Sequence, residues 1–142
     1  MTLYLRPAQP TDAGRTGEIL WDHAKSEAGV LDLFSCAEAI AFCGEMIDRG
    51  WVTVGTLGGR VEAFLARSGA EISSLYVSRN ANGRGLGKLL LKDAKAQSDA
   101  LWLEVHPDND GAQRFYRRLG FKPASEQSDT TILMRWEKEP QA

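Results

Sequence analysis

The 142 residues predict a mixed α/β fold, with a largely antiparallel sheet flanked by about four helices. Three observations carry that expectation. Gly58-Gly59 separates two β-rich runs and reads as a two-residue hairpin turn. Strand, helix and strand follow one another between Ala70 and Val105, a crossover that makes those two strands parallel. Four segments repeat apolar residues at helical spacing.

In chain order, Leu3 to Arg6 is a short first strand that stops at Pro7. Thr11 is placed to cap a helix with Ile19, Leu20, His23 and Ala24 on one face. Lys25 to Phe34 reads as an irregular connection. Ser35 with Glu38 forms a capping box for a second helix, whose core stripe is Cys36, Ile40, Cys43 and Ile47 and whose end is Gly50. Trp51 to Leu57 and Arg60 to Arg67 are the hairpin strands, and Ala70 to Val77 is the next strand. Leu86, Leu89, Leu90 and Ala94 mark the core face of a third helix, while Lys88, Lys92 and Lys95 face water. Leu101 to Val105 is a strand. Ala112, Phe115, Tyr116 and Leu119 follow helical spacing, and Phe121 to Ala124 and Thr130 to Trp136 are closing strands.

Composition narrows the classes. Apolar residues make up 43% and charged residues 25%, ordinary for a globular protein, and the length suits a single domain, 1–142. A net charge of −2 argues against a nucleic-acid or membrane partner. No run approaches the ~20 apolar residues of a membrane span, and the N-terminus lacks a signal-peptide pattern, so the expected location is cytoplasmic. Cys36 and Cys43 lie about 10 Å apart along a helix at ~1.5 Å per residue, too far for a disulfide, and read as buried small hydrophobes. With only His23 and His106 as histidines, no metal-ligand spacing is present and no metal is expected.

The chemistry concentrates where the strand ending at Val77 passes into a loop with glycine at alternate positions, Gly83, Gly85 and Gly87. Glycine lets the backbone take φ > 0 and approach a bulky anion, and the helix that follows offers unpaired N–H groups and a favourable dipole. Together they make a phosphate site. The dinucleotide pattern G-x-G-x-x-G fails, because its third glycine falls on Lys88 or Leu90, although Glu104 stands at a suitable distance for a ribose-binding acid. The G-x-x-x-x-G-K-S/T loop fails at Asn82 and Leu89.

Asn82-Gly83-Arg84-Gly85-Leu86-Gly87, preceded by Leu75-Tyr76-Val77, resembles the acetyl-CoA signature R/Q-x-x-G-x-G/A of the GNAT superfamily of N-acetyltransferases. A second stretch, Leu101 to Phe121, resembles the next strand and helix of that family through Asn109, Ala112, Phe115-Tyr116 and Gly120-Phe121. Tyr4 to Ala8 with Thr11-Asp12 is similar to its first strand and helix entry, so the resemblance spans nearly the whole chain. It implies a mixed sheet whose two parallel central strands splay apart, with acetyl-CoA as the acyl donor and direct attack by a primary amine of a small molecule or peptide.

By the same resemblance, the backbone of Leu75, Tyr76 and Val77 holds the pantetheine and acetyl end. The loop Asn82, Gly83, Arg84, Gly85, Leu86, Gly87, Lys88 holds the pyrophosphate, with Asn109 as a further contact. Tyr116 corresponds to the tyrosine at the thioester sulfur. Donation from a phenol of pKa near 10 to a thiolate near 8.5 is uphill by about 2 kcal/mol, so a hydrogen bond serves as well as a proton. Glu71 matches a general-base glutamate. At ~3.3 Å per residue it lies about 13 Å along the strand from Leu75, which calls for a water relay. Glu104 and His106 are its rivals.

Asn82 stands where the family has Arg or Gln, which shifts the burden to backbone contacts and to Arg79 or Arg84. That departure supports a rival reading, a non-catalytic acyl-CoA-binding or regulatory module. The resemblance places the acceptor near Lys25 to Phe34 and Ala124 to Asp129, with Glu27, Asp32, Glu126 and Asp129 as attractive charges and Trp21, Phe34 and Trp51 as walls. A homodimer is compatible with the family.

Overall fold

A computed structural model describes residues 2–26, 35–124 and 130–139. Glu27, Asp32, Phe34, Glu126 and Asp129, expected near the acceptor, lie outside the described residues. Seven strands, β1 (Leu3–Pro7), β2 (Val52–Leu57), β3 (Arg60–Ser68), β4 (Glu71–Val77), β5 (Ala100–Val105), β6 (Lys122–Pro123) and β7 (Ile132–Glu137), form one sheet in the order β1-β2-β3-β4-β5-β7-β6. Its helices are α1 (Ala13–Ser26), α2 (Cys36–Asp48), α3 (Leu86–Ala96) and α4 (Asp110–Arg118). β1-β2, β2-β3, β5-β7 and β6-β7 are antiparallel, whereas β4 and β5 run parallel. Among the described residues the parallel pair meets in register only at Glu71 and Trp102, where the Trp102 N–H donates to the Ala70 carbonyl at 2.9 Å.

The chain separates into two compact units. The first comprises Met1–Ala66 and Ser74–Leu90. Its core joins Ile19 and Leu20 of α1, Ala39, Cys43, Met46 and Ile47 of α2, and Val54 and Phe64 of the hairpin. Gly58 and Gly59 at φ 61° and 85° make the primed turn that matches strand twist. β3 carries a bulge: Gly55 pairs with Ala63 and Thr56 with Val61, which leaves Glu62 as the extra residue. At the end of α2, Gly50 at φ 76° closes a Schellman cap, its N–H on Ile47 O and that of Trp51 on Met46 O.

Two expectations need correction here. α1 is not entered through a Thr11 cap. A 3-10 turn, Pro10–Asp12, precedes it, and Asp12 Oδ2 accepts the Gln9 N–H at 2.8 Å while Arg6 clasps the carboxylate at 2.8 and 3.0 Å. The buried stripe of α2 is Ala39, Cys43, Met46 and Ile47; Cys36 and Ile40 are half-buried because they sit on its flank and at its first turn. Both cysteines are free, and burial pushes the Cys43 thiol up against a smaller opposing effect of its hydrogen bond with Thr16.

The second unit comprises Arg67–Ser73 and Leu91–Ala142. Leu101 and Leu103 face Trp136 and Met134 across the β5-β7 ladder, and Phe121 is fully buried. α4 ends as α2 does: Gly120 takes φ 92°, donates to Arg117 O, and lets the Phe121 N–H reach Tyr116 O at 3.0 Å. Lys95 does not face water as the helical pattern implied. Its ammonium donates to the Leu119 carbonyl and lies over the rings of Phe121 and Trp136, and burial pushes its pKa down. The inner face of α3 is Leu86, Leu90, Leu91 and Ala94, with Leu89 half-buried.

Candidate active site

In the first unit, β4 delivers Leu75, Tyr76 and Val77, all half-buried, and Ser78, which is buried. A 3-10 turn, Arg79–Ala81, follows, then the glycine loop. Gly83 and Gly85 take φ 81° and 85°, and a Cβ placed on either meets nothing within 4 Å. The backbone there faces open space of the kind a phosphate can fill. The first helical bond of α3 runs from the Leu89 N–H to Gly85 O at 3.0 Å, so the N–H groups of Leu86, Gly87 and Lys88 have no acceptor inside the helix. Asn82, Arg84 and Lys88 are exposed. Arg79 is already committed, its Nε donating to Asp22 at 2.7 Å, which leaves the loop's charge to Arg84 and Lys88.

Around this strand stand further residues, of which the sequence did not single out Glu62. Glu62 is only 6% exposed and accepts from Arg15 Nη2 at 2.6 Å and from Ser78 Oγ at 2.8 Å. Burial pushes its carboxyl up, but the hydrogen bonds from Ser78 and Arg15 and the charges of Arg15 and Arg60 outweigh that and hold it below its ordinary value. A carboxylate within the apolar run of β3 was the readable signal, since charged side chains are rarely buried unpaired. His23, expected on the core face of α1, is half-buried and its Nε2 stands 2.7 Å from Val77 O. A carbonyl only accepts, so Nε2 carries the proton. The imidazole also leans on the Tyr76 ring, centroids 5.4 Å apart. A cleft of about 450 Å³ opens beside α1, lined by Glu18, Trp21, Asp22, Cys36, Ser78 and Arg79. Trp51, like Trp21, packs against the core, with Arg49 above its ring at 5.2 Å.

In the second unit, Asn109 caps α4, its Oδ1 accepting the Ala112 N–H at 3.1 Å. Tyr116 is half-buried, its ring edge-on to Phe115 and Phe121 at 5.3 and 5.6 Å. Glu71 is exposed at the first position of β4, and Glu104 and His106 are exposed on and after β5. His106 Nδ1 accepts the Asp108 N–H at 3.1 Å. Among the described residues, no group of three or more His, Cys, Asp or Glu gathers as a metal site, and no helix is long and apolar enough to cross a membrane.

A mixed sheet with one parallel central pair, whose strand β4 runs through a positive-φ glycine loop into a helix, defines an acyl-CoA N-acyltransferase fold. The chain belongs to the acetyltransferase (GNAT) family, whose model matches residues 13–121. It is 31% identical over 72 residues to the peptidyl-lysine N-acetyltransferase YjaB of Salmonella typhimurium, a match covering 51% of this chain and 49% of that protein. It is 34% identical over 87 residues to the 5-NmdU N-acetyltransferase of Pseudomonas phage PaMx11, covering 56% of this chain and 62% of the relative. The chain thus spans about half the length of the first relative and somewhat more of the second. In fold it is similar to a GNAT-family acetyltransferase of Bacillus cereus, with a TM-score of 0.80 at 16% identity over 99% of this chain and all of the other.

Proposed function

We propose that residues 1–142 act as one N-acetyltransferase domain that moves acetyl from acetyl-CoA to a primary amine by direct attack. The observation that carries this is the Gly83–Gly85 backbone, at positive φ with open space where a Cβ would sit, feeding the N-terminus of α3. The family match supports it. The two relatives act on peptidyl lysine and on 5-NmdU, so the acceptor class proposed is an alkyl amine on a larger molecule.

Bound acetyl-CoA supplies an activated acetyl group as a thioester. The loop from Asn82 to Lys88 binds the pyrophosphate through backbone N–H groups, with Arg84 adding charge. The backbone of Leu75, Tyr76 and Val77 aligns the donor arm, and Asn109 adds a contact beyond its cap. An alkyl amine is protonated at pH 7, and exposing the free base costs roughly 4 to 5 kcal/mol. Glu71 takes that proton through water, with Glu104 and His106 as the competing positions. Tyr116 donates a hydrogen bond where negative charge develops on sulfur. Glu18 gives the cleft beside α1 a carboxylate that suits a cationic amine, while Asp22 is engaged by Arg79 and Lys25 and the Lys25 ammonium lies over the Trp21 ring at 4.7 Å.

One observation favours the second reading, an acyl-CoA-binding module without turnover. Asn82 lacks the family's longer side chain, and Arg79 is held by Asp22. Thiol release from acetyl-CoA, followed across lysine peptides, free amino acids, polyamines and aminomethyl-pyrimidine nucleosides, separates the two. Turnover with one class establishes the enzyme. A CoA-induced rise in melting temperature with no turnover establishes the module, and neither effect overturns both.

A further inference from the structure

The peptide bond between Val77 and Ser78 marks the point where β4 stops and the loop begins. It is held from both sides. The Ser78 N–H donates to the Glu62 carbonyl at 2.7 Å, on the β3 side. A trans peptide points its C=O opposite to its N–H, so the Val77 carbonyl faces away from β3, and there His23 Nε2 donates to it at 2.7 Å. A third bond reinforces the first: Ser78 Oγ donates to the buried Glu62 carboxylate at 2.8 Å. That carboxylate is itself fixed by Arg15, whose Nε also donates to Val61 O at 2.9 Å. The bulge in β3 makes this possible, because the extra residue it inserts is Glu62.

We propose that Glu62 and His23 are positioning residues for the donor: together they clamp the Val77–Ser78 peptide, set the direction in which β4 releases the loop, and withhold the Val77 carbonyl from the donor arm. The inference rests on the reading that this loop binds acetyl-CoA. It adds that on the side of β4 turned away from β3, the side the Val77 carbonyl faces, the donor is offered the Leu75 backbone and, at Val77, the N–H alone, while the Tyr76 backbone points with the Ser78 N–H toward β3. It also gives the buried carboxylate a purpose, since an ion pair taken out of water is a poor source of net stability.

The test uses CoA affinity and the split between KM and kcat. Ser78→Ala removes one hydroxyl from the clamp, and His23→Leu removes the donor to Val77 O. Each is expected to raise the CoA dissociation constant and the KM for acetyl-CoA about fivefold, the weight of one ordinary hydrogen bond, with kcat unchanged. Ser78→Thr and His23→Gln restore a donor and are expected to recover affinity. Ile47→Val, a core deletion in α2, gives the effect of lost stability alone and is expected to leave affinity unchanged. Should His23→Leu not fold, Ser78→Ala carries the test. Wild-type affinity in Ser78→Ala, or a loss there matched by Ile47→Val, overturns the clamp while leaving the donor site intact. No CoA binding by the wild-type protein overturns the donor reading, and the clamp with it.

Discussion

Gly17 of α1 packs directly against Ile40 of α2. A Cβ on Gly17 would lie 2.5 Å from both Ile40 Cα and Ile40 Cγ1. The glycine is there because no side chain fits between the helices. In a helix interior Gly→Ala gains up to about 1 kcal/mol of propensity. Here the clash is with backbone, which cannot swing aside.

Gly17→Ala is therefore expected to destabilise the protein, since overpacking typically costs about 1–3 kcal/mol or more and outweighs the propensity gain. Urea denaturation checks it through a lower midpoint at unchanged slope. A neutral or stabilised variant would show that α2 moves away at little cost. Gly14, one turn earlier, serves as the control: a Cβ there would meet no atom within 4 Å, and Gly14→Ala is expected to be neutral or mildly stabilising.

The acid limb of stability should depend on Asp12. Its hydrogen bonds from Arg6, opposed by burial, hold the carboxyl below its ordinary value. The unfolded chain then binds this proton at a higher pH than the native one. The stability Asp12 contributes is complete above the unfolded pKa, near 3.9, and is lost as pH falls through the folded value. Glu62 has the same sign. Asp12→Asn should lower stability by a constant amount above about pH 5, with the gap to wild type narrowing below that. A gap that widens in acid would reverse the sign of the pairing.

Gly85→Val should abolish the rise in melting temperature that CoA produces. At 100 times its dissociation constant a ligand adds about 2.7 kcal/mol to wild type. Valine strains a backbone at φ 85° and places a branched side chain in the space left for phosphate. A folded Gly85→Val variant with wild-type CoA affinity would remove the loop from the site.

Tyr116→Phe should keep the fold, because the ring's edge-on packing against Phe115 and Phe121 survives without the hydroxyl. A bond made to charge that appears during reaction is lost from kcat and kcat/KM together. A decrease toward the low end of roughly 10²–10⁴-fold is expected, given the unfavourable proton transfer from phenol to thiolate. Steady-state rates with a lysine peptide check it. An unchanged kcat, with chemistry rate-limiting, would return Tyr116 to a packing role.

Most of this architecture was legible because its signals are local. Ser35 and Glu38 cap α2 as their spacing implied, with the Glu38 N–H on Ser35 Oγ at 3.2 Å. Gly50, Gly58, Gly59 and Gly120 stand at positive φ where the chain turns or a helix stops. The glycine loop and the Phe-Tyr pair are short patterns that pointed to the family on their own. Local reasoning failed where a distant partner overrode a local pattern. Lys95 belongs to the polar side of α3 by period, but the Leu119 carbonyl and two aromatic rings draw it inward. Thr11 looks like a cap, yet it lies inside a 3-10 turn capped at Gln9, where Asp12, held by Arg6 of β1, accepts the Gln9 N–H.

By itself, then, the sequence determined the family, the order of the elements and the glycine loop, since each depends on residues a few positions apart. Only the tertiary structure decided that Glu62 is buried, that a bulge turns it toward Arg15 and Ser78, and that His23 reaches Val77. These partners lie 47, 16 and 54 positions away along the chain. Hydrogen bonding between such residues is set by how strands and helices pack, and leaves no period, cap or turn residue in the sequence to announce it.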